Sequence, residues 1–237
     1  MKRDHAAVLP GEGATDYARY MRTDELLGLQ RRPAEMIHRD ELLFQVVHQS
    51  TELWLKLAAS ELTEAVARVR AGRPEEAESL LTRATLGIRL VTDQLEMFGH
   101  LSPVDFQAMQ PALGNGSGAE SPGWRQVQTT GRQLGVAFAD LLAERDLDPT
   151  RLSRLDPVDG LHRLAEAMRE FDERVAHWRV EHFRVALRVG GHAPAGTPGS
   201  PATMLAKLVA HRFFPELGRA AEATAAPADP LASVTGN

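Results

Sequence analysis

The histidine at position 48 has the most informative surroundings of any residue in this chain that could do chemistry. Phe44 lies four residues before it and Glu52 four residues after it. Residues four apart stack on one face of an α-helix, so these three side chains form a single stripe if the stretch is helical. Apolar residues fill most of the other positions, and a helix that is apolar nearly all round is buried. The pattern therefore predicts that His48 points into the interior or into a pocket. A core histidine bonded to one backbone group fits the same spacing.

A second histidine, His182, lies on a segment where Trp178 and Val185 share one helical face, with Arg179 and Arg184 beside it. A neutral imidazole is a strong ligand for iron, and arginines can pair with the propionates of a haem. A solvent-facing histidine on a charged helix fits the same residues. The chain has no cysteine, which excludes thiolate ligands and covalent attachment of haem through cysteine. No compact two-histidine metal motif occurs, so a metal site would have to be assembled from distant segments.

Length and composition are those of a globular protein that works in water. The 237 residues are 43% hydrophobic and 25% charged, which suits one domain with a good core. A net charge of -5 argues against a general nucleic-acid binder, which normally carries a basic surface. The N-terminus has no apolar signal-like stretch and no run of 18 apolar residues occurs, so we expect a cytoplasmic protein without a membrane partner.

The periodicity of apolar residues predicts an all-α fold. We expect a single domain at 16–219, with flexible ends at 1–15 and 220–237 that are rich in Ala, Gly, Pro and Asp. Ser102 followed by proline predicts a helix start, and Pro111 predicts that this helix is short. The other predicted helices cover residues 17–29, 37–71, 75–98, 124–145, 161–190 and 202–219.

Five stretches of this sequence resemble, in the same order, segments that recur in the tryptophan 2,3-dioxygenase family of haem enzymes. The clearest runs from residue 44 to 57 and reads FQVVHQSTELWLKL. The set covers roughly residues 15–219, and its members are specific as a group although no single one is. The resemblance implies an all-α helical bundle with a haem held between helices. The other four stretches are residues 17–27, 101–118, 171–188, and 196–200 with 213–217.

The resemblance also implies a role for individual residues. His182 is similar in position to the axial ligand of the haem b iron, and His48 to the catalytic histidine on the opposite, O2-binding side, where O2 is the co-substrate. The N-terminal stretch resembles one that lines the site of a neighbouring subunit in a homotetramer. The resemblance assigns substrate binding to Phe44, Phe106, Gln110 and Thr197, with Tyr17, Tyr20 and Met21 from the neighbour, and cofactor binding to Ser117, Trp124 and Arg179.

The sequence departs from the family pattern where the substrate carboxylate is held. The family normally has an arginine at the position of Gln110, and a neutral amide cannot replace that bidentate ion pair. Phe106 stands where a tyrosine is common, and Pro198 and Pro201 stiffen the stretch that closes over the substrate. We therefore expect a modified tryptophan or an indole-pyruvate derivative as substrate, in the manner of a tailoring enzyme of secondary metabolism.

Three functions follow from the resemblance. In the first, both atoms of O2 enter the indole C2–C3 bond, giving a product of the N-formylkynurenine type. In the second, a haem-dependent mono-oxygenase transfers one oxygen atom to the ring of an aromatic amino-acid derivative. In the third, a catalytically inactive bundle binds haem only. The presence of both His48 and His182 favours an enzyme, because a haem-binding module has no chemical need for both.

Overall fold

All regular elements in the described part of the chain are helical, which confirms the predicted all-α class. The computed structural model describes residues 9, 11–114, 120–190, 207 and 210–219. The flexible tail expected at 220–237, and residues 1–8 and 10 of the expected flexible N-terminus, lie outside the described residues. No helix in the described ranges is both long enough and apolar enough to span a membrane.

Seven α-helices and three 3-10 segments lie between residues 16 and 190 of the described chain, and residues 207, 210 and 215–219 are also helical. The 3-10 segments are Pro33–Glu35, Gln94–His100 and Pro149–Arg154. The helices are α1 (Asp16–Met21), α2 (Thr23–Leu27), α3 (Glu41–Arg70), α4 (Pro74–Asp93), α5 (Pro103–Leu113), α6 (Pro122–Glu144) and α7 (Gly160–Gly190).

Several helix ends follow directly from the sequence. The Ser102 hydroxyl accepts a hydrogen bond from the Asp105 N–H at the start of α5, as its place before a proline predicts. Ser121 caps α6 in the same way, through the N–H of Trp124. Thr15 caps α1, but the helix predicted over 17–29 is broken in two, because Arg22 takes the left-handed conformation with φ 54°.

The long helices pack into a bundle in which α3 lies against α4 and α6, and α4 lies against α7. Burying one apolar stripe of each helix in this way removes about 25 cal/mol of unfavourable hydration per Å² of apolar surface. The main core is built from aliphatic side chains with four phenylalanines and one tryptophan; its largest fully buried members are Leu55, Leu62, Leu81, Ile88, Leu134, Leu164, Met168 and Phe171.

A second, smaller apolar cluster forms where the first turns of α3, the Gln94–His100 segment, α5 and the end of α7 meet. Phe44, Phe106 and Trp178 pack against it, half-buried. Trp178 packs against the main core as well, so it joins the two clusters. The members of the second cluster are Val47, Leu95, Phe98, Leu101, Met109 and Val189.

Helix α5 ends at Leu113 with Gly114 at its C-cap, which confirms the predicted short helix; Pro111 lies inside its last turn.

Two further sequence-based expectations require correction. The helix predicted over 75–98 ends at Asp93 and continues as the 3-10 segment Gln94–His100. The helix predicted over 202–219 is interrupted at residues 211–214, since the residue before Pro215 is disfavoured in the α conformation.

Candidate functional site

An aromatic group at the second apolar cluster surrounds the imidazole of His48. The ring centroid of His48 lies 4.2 Å from that of Phe44 and 5.6 Å from that of Phe98. Phe44 in turn lies 5.7 Å from Phe98 and 6.1 Å from Phe106. The stripe predicted from the i, i+4 spacing is therefore present on α3, and two aromatic rings from other elements extend it into a surface of three phenylalanines.

The hydrogen bond of His48 fixes which ring nitrogen is available for chemistry. Its Nδ1 lies 2.8 Å from the carbonyl oxygen of Phe44. A carbonyl only accepts, so Nδ1 carries the proton, and in the neutral ring Nε2 keeps its lone pair. His48 at this position can therefore accept a hydrogen bond from a donor such as an indole N–H.

The prediction that His48 is buried inside the protein is wrong for a single chain, because the residue is exposed. Helix α3 buries Val47, Leu55 and Leu62 against the bundle and leaves another apolar side, including Leu53 and Leu57, facing outward. The helix is apolar nearly all round, as the sequence indicates, but it lies at the edge of the bundle and only one side of it meets α4 and α6.

The imidazole of His182 lies parallel to a tryptophan on the same helix. Its centroid is 4.9 Å from that of Trp178, and the ring planes are 15° apart. Burial lowers the pKa of His182 below its usual range, and the charge of His48 lowers that pKa further. His182 is therefore neutral near pH 7, with a nitrogen lone pair able to bind a metal.

Two indole rings meet behind His182. Trp124, in the first turn of α6, and Trp178 have ring centroids 4.0 Å apart. The Nε1 atoms of both are buried without a hydrogen-bond partner in the described part of the chain. A buried donor left unsatisfied costs about 1–3 kcal/mol, so this pair calls for an explanation.

Two observations agree with a haem bound beside His182. A neutral histidine is a usual axial ligand of haem iron, and His182 has this state while neither of its ring nitrogens bonds to a described residue. A haem also brings carboxylates, which are acceptors of the kind that the buried indole N–H groups lack. The neutral imidazole of His182 suits the iron, and the indole N–H groups of Trp124 and Trp178 suit the carboxylates.

Arg179, predicted to bind the cofactor, has its described contacts elsewhere. Its guanidinium donates to the carbonyl of His211 at 2.7 Å and lies 5.6 Å from the centroid of the Phe213 ring. Asp172 on the same helix accepts the backbone N–H groups of Phe213 and Phe214 at 2.7 and 3.0 Å. These contacts fasten the C-terminal segment to α7, and the assignment of Arg179 to the cofactor stays a prediction without support from them.

The other predicted site residues divide into three groups. Phe106 is half-buried in the aromatic group and Gln110 is exposed one turn later on α5. Tyr17, Tyr20 and Met21 on α1 are 68%, 62% and 52% exposed, and α1 packs mainly against α2 in the same chain. Ser117 and Thr197 lie outside the described residues.

Sequence reasoning missed three residues that the site uses. Phe98 comes from a 3-10 segment, where no helical spacing could relate it to His48. Trp178 shares a face with His182 at i, i+4 and could have been assigned to the site on that spacing alone. Glu52 belongs to the stripe by its spacing, but the spacing does not indicate its contacts; its carboxylate accepts hydrogen bonds from Ser121 and Gly123 at the start of α6.

Comparison with known proteins shows which family this chain is similar to. Residues 2–139 match the family described as tryptophan 2,3-dioxygenase, a range that includes His48, Phe106 and Gln110 and ends before His182. The tryptophan 2,3-dioxygenase of Xanthomonas euvesicatoria pv. vesicatoria is 30% identical over 181 residues, covering 76% of this chain and 60% of the relative. That of Xanthomonas campestris pv. campestris (strain B100) is 31% identical over 186 residues, covering 78% and 61%.

A third relative covers more of both chains at lower identity. The tryptophan 2,3-dioxygenase of Bacillus thuringiensis is 24% identical over 255 aligned positions, covering 85% of this chain and 90% of the relative. The chain thus spans about 60% of the length of the Xanthomonas relatives. Because the family match takes in more than half of the sequence, the chain belongs to the tryptophan 2,3-dioxygenase family.

Proposed function

We propose that this protein is a haem-dependent oxygenase of an indole substrate, with His182 as the axial ligand of iron and His48 facing the substrate. The observation that carries the proposal is the arrangement of the two histidines. The imidazole of His182, which is neutral, lies against Trp178, and the imidazole of His48, whose Nδ1 is bonded to a backbone carbonyl, lies against Phe44. Trp178 and Phe44 pack against the same apolar cluster.

The chain's own residues bind and orient the substrate. The indole packs against Phe44 and Phe98, whose apolar faces exclude water from it. Nε2 of His48 accepts the hydrogen bond of the indole N–H, because Nδ1 is already committed to the Phe44 carbonyl. Together these contacts orient the C2–C3 bond of the indole.

Bound haem supplies the activation of O2, which amino-acid side chains cannot provide. His182 contributes the ligand bond, and Trp178 restricts rotation of the His182 ring by stacking on it. In the dioxygenase outcome both atoms of O2 are added across the indole C2–C3 bond, which opens to a product of the N-formylkynurenine type. The product contains all atoms of the indole substrate and of O2, so this reaction needs no other co-substrate.

We further propose that the substrate is a modified tryptophan or an indole-pyruvate derivative, as in secondary metabolism. The relatives are named for tryptophan, but Gln110 offers no positive charge to a carboxylate, and Phe106 offers no hydroxyl. Replacing a charge-assisted bidentate contact by a neutral amide weakens carboxylate binding by roughly 1.5–3 kcal/mol.

The proposed assembly is a homotetramer in which each chain completes a neighbour's site. Tyr17, Tyr20 and Met21 form an exposed apolar strip on α1, and Leu53 and Leu57 extend apolar exposure along α3. Contiguous apolar surface of this kind marks protein–protein contacts. In this proposal the strip on α1 contacts the substrate that is bound by the neighbouring chain.

The test is the mass of the product formed by haem-loaded protein. The reduced protein is supplied with O2 and, separately, L-tryptophan, ring-methylated tryptophans and indole-3-pyruvates. A gain of two oxygen atoms, largest for a modified substrate, is the expected result. A gain of one oxygen atom identifies the mono-oxygenase, and haem binding with no product from any indole identifies the inactive module. Family-like turnover of L-tryptophan would refute the altered-substrate proposal.

A further inference from the structure

Glu52 lies one helical turn after His48 and directs both carboxylate oxygens at the beginning of α6. Oε1 accepts the Ser121 hydroxyl at 2.5 Å, and Oε2 accepts the backbone N–H of Gly123 at 2.9 Å. These bonds join two helices that are about seventy residues apart in the chain.

The backbone at Gly123 is shaped for this contact. A Cβ at that position would lie 2.7 Å from Oε2 of Glu52 and 2.7 Å from Cβ of Leu55, closer than such atoms approach. Glycine therefore lets α6 come against α3 at this point. A carboxylate at the N-terminus of a helix also interacts favourably with the helix dipole.

The turn that Glu52 holds carries Trp124. The N–H of Trp124 donates to the Ser121 hydroxyl at 3.1 Å, so the oxygen that donates to Glu52 also caps the turn. The Trp124 ring is 7% exposed and lies against Trp178, which lies in turn against His182. A continuous set of contacts therefore runs from the helix of His48 to the ring of His182.

We propose that Glu52 is a positioning residue for His182: by fixing the first turn of α6 it sets the Trp124–Trp178 stack, and through that stack the orientation of the His182 ring. The inference rests on the proposed function in taking His182 as the residue whose orientation matters to the reaction. It gives Glu52, which lies in the same stripe as His48, a role at His182. It also couples α3, which carries His48, to α7, which carries His182.

Two spectroscopic signals of the full-length chain test this without haem. Two indoles 4.0 Å apart produce an exciton couplet in circular dichroism, which Trp124→Phe and Trp178→Phe should each abolish and Trp54→Phe should leave. The ring protons of His182, assigned by their loss in His182→Ala, should resonate at a position displaced by the ring current of Trp178.

The informative variants are Glu52→Ala, Glu52→Gln and Glu64→Ala. Glu52→Ala removes both bonds, and we expect it to lose the couplet and return the His182 resonances towards ordinary values. Glu52→Gln can still accept from Gly123 and can donate to Ser121, so it should restore both signals. Glu64 lies on the same helix and pairs with Arg68 instead, so Glu64→Ala should change neither signal.

An unchanged couplet in Glu52→Ala would overturn the proposal, and so would a lost couplet with unmoved His182 resonances. If Glu52→Ala does not fold, Ser121→Ala takes its place, since it removes one of the two bonds; an unweakened couplet in that variant would overturn the proposal equally. Neither signal uses haem, so failure of the proposed function would show itself separately, as a wild-type chain that binds no haem or forms no product.

Discussion

The ring of His182 lies nearly parallel to the ring of Trp178, with centroids 4.9 Å apart and planes 15° apart. Trp178 packs against both apolar clusters, so the orientation of His182 depends on the core of the bundle and not on its surface alone. His48 is held by the backbone of its own helix, through the carbonyl of Phe44. The two imidazoles thus have different direct contacts, so each can be replaced without removing the contact that holds the other.

His48→Ala should leave haem binding unchanged and reduce kcat/KM by about 10- to 100-fold, the value of one substrate hydrogen bond. The reason is that His48 acts on the substrate and makes no bond to iron in this account. Steady-state kinetics and the optical spectrum of the loaded protein measure the two effects. Lys56→Ala, an exposed position two turns along the same helix, serves as control. Loss of haem in His48→Ala would mean that the roles of the histidines are reversed.

Gln110→Arg should lower KM for free amino-acid substrates by about tenfold or more, because a guanidinium adds a charge-assisted contact to the carboxylate. The position is exposed on α5, so the change should not disturb folding. Ala112→Arg places the same charge on another side of the helix and should have no such effect. An equal gain from both variants would show a general effect of charge, and no gain from Gln110→Arg would place the carboxylate elsewhere.

Replacing Tyr17 and Tyr20 by alanine should reduce activity while leaving the midpoint of thermal unfolding nearly unchanged, since both side chains are exposed in the single chain. Leu27→Ala, also exposed, is the matched control. Mixing the double variant with His182→Ala should restore activity, because hybrid oligomers combine an intact haem site from one chain with an intact α1 from the other. Mixtures that form oligomers and stay inactive would contradict completion of the site by a neighbour.

Asp172→Ala should destabilise the fold by about 2–5 kcal/mol, because it leaves two buried backbone N–H groups without an acceptor. Burial raises the pKa of Asp172, against the opposing effect of those two hydrogen bonds and the charges of Arg212 and Arg179. A raised folded-state pKa means that the part of the stability that comes from protonation of Asp172 is fully present below its unfolded-state pKa. That part is lost as pH rises through the folded-state value, while the two hydrogen bonds remain.

Urea unfolding of the wild type and Asp172→Asn across the acidic range measures this dependence. The free energy of unfolding of the wild type, relative to the variant, should fall as pH rises. Asp140→Asn, at an exposed position on α6, should show no such trend. A difference that grows with pH would mean that the ionised carboxylate is favoured by its surroundings and that burial is not the dominant effect.

Local patterns in the sequence predict most of the helices and the contact of Phe44 with His48. Ser102 precedes a proline, which indicates a helix start from two adjacent residues. Phe44 and His48 are four residues apart, so they meet wherever this stretch is helical. Contacts between distant segments gave no such signal. Phe98 reaches His48 from a 3-10 segment, and Glu52 reaches α6 only because the bundle brings two helices together.

The exposure of His48 illustrates a related limit. An apolar circumference on α3 indicates that the helix can be covered all round, but not whether its own chain or another covers it. In the single chain the side with Leu53 and Leu57 is uncovered. That a second chain covers this side, as the resemblance of α1 to a segment acting across a subunit boundary implies, stays a prediction that the fold of one chain does not test.

Haem binding by His182 is the central claim, and one comparison tests it most directly. Wild-type, His182→Ala and His177→Ala proteins are incubated with haem, freed of excess and compared by their Soret bands. His177 lies on the same helix and is exposed, so His177→Ala is the same substitution made outside the proposed site. The account predicts the same band in the wild type and His177→Ala and none that survives removal of excess haem in His182→Ala. An undiminished wild-type band in His182→Ala would contradict it.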